Sequence, residues 1–394
     1  MLNRLTVVYI LSEEKIYKYL RKLPNMTKAI LKAYFAPADI QINGTRPWDI
    51  QVHNKAFYQK VLAEGSLGLG ESYVEGWWDC KTLDKFFCKL LVNEIDKKEK
   101  LTFKATLAYV HAKITNKQSK KKAFEVGEKH YDLGNDLFKA MLDKRLTYTC
   151  GYWKKAKTLD EAQEAKLDLV CKKLHLKPGQ KILDIGCGYG SFMKFAAQKY
   201  KVSCVGVTIS KEQKELGEQL CKGLPIQFRL QDYRELNERF DHIVSLGMFE
   251  HVGIKNYRTY MQVVHRCLKK EGIFLLHTIG SADAKKASDP WIAKYIFPNG
   301  SIPKEKQIMK AAQGLFVLED WHNFGAYYDP TLMAWYKNVE KNWDKLSKQY
   351  DKRFKRMWSY YLLACAGAFR ARRTQLWQIV FSKKGIPGGY TSVR

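Results

Sequence analysis

The stretch KILDIGCGYGSF, residues 181–192, determines the fold predicted for this 394-residue chain. Its apolar first half has the length of a buried strand and ends in Asp184, and a glycine-rich turn then leads into a helical pattern. A strand, a glycine turn and a helix in this order form the ligand crevice at the carboxyl end of the first strand of a doubly wound sheet. The sequence therefore predicts an α/β fold of the Rossmann-like kind.

The spacing of the glycines indicates which ligand this crevice takes. Gly186, Gly188 and Gly190 form G-x-G-x-G, whereas dinucleotide-binding folds use G-x-G-x-x-G, and no G-x-x-x-x-G-K-[ST] phosphate loop occurs in the sequence. Glycines permit positive φ angles and a close approach of the backbone to a ligand. A turn without a phosphate cradle favours a nucleoside without phosphates, and S-adenosylmethionine is a common one. On this motif alone, a glycine turn in another α/β protein remains an alternative.

Composition and cysteine usage restrict the class of protein. An apolar content of 46% and a mean hydropathy of −0.40 are typical of a soluble globular protein. The apolar stretch at residues 5–11 is too short to span a bilayer. The nine cysteines include no C-x-x-C pair, which favours reduced thiols in the cytoplasm over a disulfide framework or a metal site.

The net charge of +28 is concentrated at the two ends of the chain. Residues 1–122 contribute about +10 and residues 337–394 about +11, so the long middle segment carries only about +7. A surface of this kind attracts a polyanion, either nucleic acid or an anionic membrane face. A general excess of lysine for solubility is the alternative.

The sequence predicts two domains. The polar, lysine-rich segment TNKQSKKK, residues 115–122, is interpreted as a linker between a smaller, mainly helical N-terminal domain at 1–114 and a catalytic domain at 123–394. In the first domain we expect a plain turn at the glycine-rich residues 65–70 and two short strands around a turn within residues 38–53. One or two helices are predicted within residues 1–35, and one helix each at residues 56–63, 83–91 and 101–112.

From about residue 124 onward, predicted strands and helices alternate, which favours a parallel sheet. The strands are predicted at residues 181–185, 202–207, 226–230, 242–245, 273–277, 316–319 and 376–381. Seven strands are the number found in the core of class I S-adenosylmethionine-dependent methyltransferases. Aromatic residues spaced by three or four between 330 and 369 predict further helices.

Polar residues follow these strands at the edge of the sheet where the crevice is expected. The second strand ends in hydroxyl residues, where many methyltransferases have an acid that binds the ribose. Glu250 and His277 follow or end the fourth and fifth strands, and they favour proton handling over recognition of an amine. The candidate cofactor-binding residues after the first three strands are Asp184, Gly186, Gly188, Thr208, Ser210, Gln213, Gln231, Asp232 and Tyr233.

Four further segments carry a resemblance to one family. They are residues 130–138 (HYDLGNDLF), 147–153 (TYTCGYW), 247–251 (GMFEH) and 365–372 (CAGAFRAR). Together with LDIGCGYG and GVTIS, they resemble the cyclopropane-fatty-acyl-phospholipid synthases, over about residues 38–381. Tyr189 and Gly151 depart from the family pattern, in which tryptophan and alanine are usual.

The resemblance implies a seven-stranded methyltransferase core, a homodimer, and peripheral attachment to the inner face of the cell membrane. It implies transfer of a methylene group from S-adenosylmethionine to the cis double bond of unsaturated phospholipid chains, with bicarbonate as the base. Tyr148 and Thr149 would reach the methionine end of the cofactor. Cys365 is the last of the candidate catalytic residues: the chemistry needs no covalent enzyme intermediate, so it is interpreted as a wall residue or an easily modified thiol rather than a nucleophile. The bicarbonate ligands it implies are Cys150, Glu250, His277, the backbone of Ile279, and Tyr328.

Two alternatives remain open from the sequence. One is another S-adenosylmethionine enzyme on this fold, which adds a branch methyl to a lipid or methylates nucleic acid. Glu250 stands where amine-methylating nucleic-acid enzymes carry a Pro-Pro-Tyr turn, so no nucleic-acid partner is expected. The other is a non-catalytic lipid-binding protein on an inactive fold, which the presence of Glu250, His277 and Tyr328 disfavours.

Overall fold

The computed structural model describes residues 24–95, 134–281 and 289–394. We number its elements in chain order over these residues. The helices are α1 Pro24–Phe35, α2 Ala56–Glu64, α3 Ser66–Val74, α4 Leu83–Val92, α5 Asn135–Met141, α6 Leu159–Lys173, α7 Ser191–Tyr200, α8 Lys211–Leu220, α9 Tyr257–Cys267, α10 Pro290–Tyr295, α11 Glu305–Ala312, α12 Tyr328–Lys341, α13 Trp343–Leu346 and α14 Lys352–Arg370. The strands are β1 Gln51–Val52, β2 Trp78–Asp79, β3 Lys181–Ile185, β4 Ser203–Thr208, β5 Ile226–Leu230, β6 His242–Leu246, β7 Ile273–Gly280, β8 Val317–Asn323 and β9 Gln375–Ser382.

A seven-stranded sheet with the order β5-β4-β3-β6-β7-β9-β8 forms the centre of the fold. All seven strands lie where the sequence predicts them. The expectation of a parallel sheet is wrong for β9, which pairs antiparallel with both β7 and β8. Helix α14 ends beside the carboxyl ends of these two strands, where Arg370 binds Asp329. The chain therefore enters β9 at the carboxyl ends of β7 and β8 and runs antiparallel to both.

Alternate residues of the central strands pack on opposite faces of the sheet. Ile182 and Leu275 join a buried cluster with residues of α6 and α7. Leu183 and Phe274 join a second cluster with residues of α9 and α11. Burial on both faces explains why these strands appear in the sequence as continuous apolar runs.

Of the glycine-rich residues 65–70, only Gly65 forms the predicted turn, and residues 66–70 belong to a helix. Gly65 has a φ of 58° and separates α2 from α3, which includes the rest of the segment. A Cβ atom at Gly68 would lie 2.4 Å from the carbonyl oxygen of Lys60, and one at Gly70 would lie 2.4 Å from Cδ1 of Trp291. Gly68 therefore allows α3 to pack closely against α2, and Gly70 allows it to pack closely against α10.

The two strands expected within residues 38–53 are also not formed as predicted. Only β1 forms there, and it pairs with β2 instead of with its neighbour in sequence. The carboxylate of Asp49 accepts hydrogen bonds from the backbone N–H groups of Gln41 and Arg46 at 2.8 and 3.0 Å. This buried acid thus holds the preceding segment in a loop, in which Ile42 and Ile50 form an isolated parallel bridge rather than a hairpin.

Other helices agree with the sequence. Helices α2 and α4 confirm the predictions at 56–63 and 83–91, and α12 to α14 confirm those between 330 and 369. Helix α1 confirms one helix within residues 1–35. The predicted helix at 101–112 and the linker at 115–122 lie outside the described residues, so the domain boundaries stay predictions. Among the helices described, none is long and apolar enough to cross a bilayer.

Candidate active site

The glycine turn after β3 forms one side of the predicted crevice. Gly186 and Gly188 have φ angles of 83° and 53°. The N–H groups of Gly186 and Cys187 donate to the carbonyl of Val207 on β4, at 2.9 and 3.1 Å. A Cβ atom at Gly186 would lie 2.6 Å from Cβ of Met248, whereas one at Gly188 would meet no described atom within 4 Å. The backbone at Gly188 is therefore accessible to a ligand.

Gly186→Ala is expected to weaken binding of S-adenosylmethionine at least tenfold. The new methyl group would displace Met248 and would strain a positive φ angle, and both effects distort the turn. Gly179→Ala is the matched control, because Gly179 has a φ of 82° and no described atom within 4 Å of a Cβ. Calorimetric titration of both variants checks this, and equal dissociation constants would contradict it.

The residues that follow β4 hold one another at a corner of the crevice. Thr208 Oγ1 donates to Oε1 of Gln213 at 3.1 Å and accepts from the Ser210 N–H at 3.2 Å. Ser210 caps α8 by accepting from the Gln213 N–H at 3.2 Å. Because Oε1 of Gln213 is engaged, its amide N–H groups are the part of this trio best placed to donate to a ligand.

The three candidates that follow β5 have different surroundings. The N–H of Gln231 donates to the carbonyl of Thr208 at 3.1 Å, so this residue lies beside the β4 corner. The carboxylate of Asp232 accepts from the backbone and guanidinium of Arg234 at 2.8–2.9 Å. The Tyr233 ring packs in the core at 5.2 Å from that of Tyr260, and burial raises its pKa to about 12. Cofactor binding by these three residues stays a prediction.

Asp184, at the end of β3, faces a buried lysine that the sequence analysis missed. Burial raises the pKa of Asp184 to about 7, and its Oδ1 has no hydrogen-bond partner among the described residues. Lys166 on α6 is fully buried and donates to Thr149 Oγ1 at 2.6 Å. Burial lowers the pKa of Lys166 to about 8, opposed by Asp143. The signal in the sequence is that Lys166 lies on the apolar face of α6, one turn after Ala162.

Glu250 lies in the 3-10 turn Phe249–His251 that follows β6. Its Oε1 accepts from the Ile279 N–H on β7 at 2.7 Å, while its Oε2 is buried and has no partner among the described residues. Burial raises the pKa of Glu250 to about 7, and the Ile279 N–H opposes this shift. The carboxyl group is thus fixed at one oxygen and available for a ligand at the other.

His277 lies on β7, two residues before Ile279, so the two side chains point to the same face of the strand. Its ring is 1% exposed, and burial holds its pKa well below the usual value. Nδ1 lies 3.3 Å from Nε2 of Gln378, and Nε2 of His277 has no partner among the described residues. The imidazole is therefore neutral and leaves one ring nitrogen for a ligand.

Tyr328 is the first residue of α12, and its ring stacks on Phe369 with centroids 4.4 Å apart. Burial raises its pKa well above the usual value, and the ionisable groups close enough to add to this shift include Cys150, Glu250 and Cys365. The structure therefore brings the tyrosine hydroxyl and these three side chains into one buried region.

Two cysteines of this region carry thiols rather than thiolates. Cys150 is fully buried, and burial raises the pKa of its thiol far above the usual value. Burial likewise raises the pKa of Cys365 to about 12. A thiol nucleophile needs a lowered pKa, so the interpretation of Cys365 as a wall residue is favoured.

The two departures from the family pattern have local reasons. A Cβ atom at Gly151 would lie 2.8 Å from Cβ of Ala162, so α6 packs closely there. The N–H of Gly151 donates to Thr331 Oγ1 at 3.1 Å, which ties this loop to α12. The Tyr189 hydroxyl donates to Asn135 Oδ1 at 3.1 Å, a bond to α5.

Aromatic rings surround the hydroxyl groups of the site. The Tyr148 and Tyr361 hydroxyls lie 2.8 Å apart. The ring centroid of Trp335 lies 5.1 Å from that of Tyr148 and 6.3 Å from that of Tyr328. Faces of aromatic rings attract positive charge, most strongly where water is excluded. The site can therefore stabilise a cation.

A family model described as mycolic acid cyclopropane synthetase matches residues 118–379. The chain belongs to this family. A cyclopropane-fatty-acyl-phospholipid synthase of Escherichia coli K12 is 56% identical over 357 residues, which are 91% of this chain and 93% of that protein. These matches bear out the family resemblance found in the sequence.

Solved structures agree with this assignment. The cyclopropane synthase MmaA2 from Mycobacterium tuberculosis has a TM-score of 0.63 and 31% identity, over 66% of this chain and 98% of that one. The mycolic acid cyclopropane synthase CmaA1, complexed with SAH and CTAB, has a TM-score of 0.62 and 32% identity over the same shares. The chain is an S-adenosylmethionine-dependent methyltransferase with the class I fold, as the sequence predicts.

Proposed function

We propose that this methyltransferase transfers a methylene group from S-adenosylmethionine to the cis double bond of unsaturated acyl chains in membrane phospholipids. The observation that carries the proposal is that two polar atoms, Glu250 Oε2 and His277 Nε2, are buried without a hydrogen-bond partner among the described residues. The 56% identity to the Escherichia coli cyclopropane-fatty-acyl-phospholipid synthase supports the choice of substrate.

The residues of the site suit the chemistry of ring closure. S-adenosylmethionine supplies, when bound, a sulfonium methyl group electrophilic enough for an isolated double bond, which is a weak nucleophile. Methyl transfer leaves a carbocation on the chain, and the rings of Tyr148, Tyr328 and Trp335 can stabilise it. Their packing also excludes water, which would otherwise trap the cation. A proton must then leave the new methyl group for the ring to close.

A bicarbonate ion bound in this region would supply the base for that proton. Glu250 Oε2 would accept its O–H, while the His277 Nε2–H and the Tyr328 hydroxyl would donate to its oxygens. Cys150 would complete the set of ligands, whereas the Ile279 N–H, which already donates to Glu250 Oε1, would hold that carboxylate in place. An ionised Glu250 would repel a second anion unless the two share a proton in a hydrogen bond.

The substrate proposal is tested by incubating the protein with labelled S-adenosylmethionine and vesicles of unsaturated phospholipid. The product chains should gain the mass of one methylene group and lose their double bond, and saturated vesicles are the control. A product that gains the same mass but keeps an alkene would indicate branch methylation. Cofactor binding without turnover would indicate an inactive lipid-binding protein.

Homodimer formation and peripheral attachment to the cytoplasmic face of the membrane are part of this proposal. The basic ends of the chain would face anionic lipid, and helices α12 to α14 would wall a tunnel for the acyl chain. Binding to anionic vesicles is expected to weaken steeply with salt, because the Debye length falls from about 10 Å at 0.1 M to about 3 Å at 1 M. Co-sedimentation with anionic vesicles at increasing salt concentration measures the binding. Binding that does not change with salt would contradict attachment through charge.

A further inference from the structure

A row of buried polar side chains crosses three strands next to the candidate active site. Gln378 on β9 is the register partner of His277 on β7 and of His322 on β8. Cross-strand partners place their side chains on the same face of a sheet. On the far side of the row, Lys173 Nζ lies 3.0 Å from Nδ1 of His322. Gln378 therefore lies between two imidazole rings.

Gln378 is fully buried, which is costly for an amide unless it is hydrogen-bonded. Its Nε2 lies 3.3 Å from His277 Nδ1, and its Oε1 has no partner among the described residues. An apolar residue at this position would avoid that unpartnered oxygen. The contact with His277 therefore gives a reason for an amide at this buried position.

We propose that Gln378 is a positioning residue that fixes His277 in the tautomer with its proton on Nε2. The amide N–H of Gln378 donates to Nδ1, so Nδ1 must present its lone pair and the ring proton must lie on Nε2. The other tautomer would set two N–H donors against each other. The edge-on contact with Phe324, 5.9 Å between centroids, restricts rotation of the ring.

The tautomer of His277 determines whether its ring can donate a hydrogen bond to the proposed bicarbonate. Nε2 of His277 has no partner within the part of the chain that the structure describes, so this tautomer presents a donor where the proposed bicarbonate needs one. The inference rests on the proposed function for its chemical purpose, but the tautomer itself is measurable without any reaction.

The tautomer is tested by nitrogen NMR of the full chain labelled at its histidine rings, with His277→Asn to assign the signal. Wild type is expected to show His277 protonated on Nε2. Gln378→Glu places an acceptor beside Nδ1 and should move the proton there, whereas Gln378→Met should leave a mixture. His322→Asn, a change on the other side of Gln378, should leave the His277 signal unchanged.

Activity gives the second readout. Gln378→Glu is expected to lower kcat about 10²-fold and to raise the bicarbonate concentration needed for half-maximal rate, with the dissociation constant of S-adenosylmethionine unchanged. His322→Asn should stay within about twofold of wild type. If Gln378→Glu does not fold, the wild-type tautomer and Gln378→Met still decide the matter.

The outcomes separate the two proposals. A wild-type His277 protonated on Nδ1, or a tautomer that neither Gln378 variant changes, would overturn the role of Gln378 even if the enzyme requires bicarbonate. If the tautomer responds as expected but bicarbonate affects no variant, the positioning role stands and the proposed base fails.

Discussion

Glu250→Gln is expected to lower kcat/KM by about 10²–10³-fold, with the dissociation constant of S-adenosylmethionine unchanged. The glutamine side chain keeps the shape and can still accept from the Ile279 N–H, which Oε1 of Glu250 now does at 2.7 Å. It cannot offer an anionic acceptor at the position of Oε2, an oxygen that no residue of the described ranges contacts by a hydrogen bond. Steady-state kinetics and a cofactor titration check both parts.

The pH dependence adds a signature that is specific to this carboxyl. The pKa of Glu250 is raised to about 7, and the proposed site uses the ionised form, so the wild-type rate should rise with pH through about 7. Glu250→Gln should lose that rise. A residual activity with the same rise in rate would show that another group titrates there.

Folding does not explain the expected loss of activity, because the stability effect has the opposite sign. The folded-state pKa of Glu250 is raised above its unfolded value, so this group's contribution to stability falls as pH rises through about 7. Glu250→Gln removes the buried carboxylate charge and with it this loss of stability. At pH 8 its midpoint of denaturant unfolding should be no lower than that of the wild type. Glu218→Gln, which breaks an exposed pair with Lys214, is the matched control and should leave kcat/KM unchanged.

Arg370→Met is expected to destabilise the protein by about 2–3 kcal/mol. Arg370 on α14 donates to Asp84 on α4 at 2.7 Å and to both oxygens of Asp329 on α12 at 2.8 Å. Removal of the arginine leaves two carboxylates unpaired and close together, which costs about 3–5 kcal/mol at a fully buried site. The arginine side chain is 31% exposed, so solvent reduces the effect. The midpoint of denaturant unfolding measures it.

The same change should lower activity about tenfold at temperatures where the variant is folded. Asp329 adjoins Tyr328 in the first turn of α12, so the loss of its partner frees the segment that positions this hydroxyl. Arg353→Met is the matched control, because Arg353 on the same helix pairs with Glu75 while 63% exposed. The account would be wrong if both arginine variants behaved alike.

The central strands were predictable because they are apolar runs of strand length, whereas β8 (VLEDWHN), at the edge of the sheet, is more than half polar. Residues such as Leu183 and Phe274 are buried on one face while their neighbours are buried on the other. The glycine turn was predictable because G-x-G-x-G follows a strand directly. The direction of β9 was not, since it depends on where α14 ends in space.

Apart from the family resemblance, which also supplied Cys150 and Tyr328, candidate site residues could be named only where they adjoin strand ends. Glu250 and His277 follow that rule, whereas Lys166 and Gln378 do not. Lys166 lies on a helix away from any strand end, and Gln378 lies inside the last strand. Their contacts, of Lys166 with Thr149 and of Gln378 with His277, form only in the folded chain.

The most direct measurement of the proposed base is the rate of cyclopropane formation in buffer stripped of bicarbonate and carbon dioxide. The rate of the wild type on unsaturated vesicles should fall at least tenfold and return when bicarbonate is added. The rate of Glu250→Gln should stay low after the same addition. Full activity of the wild type without bicarbonate would contradict the role assigned to Glu250, His277 and Tyr328.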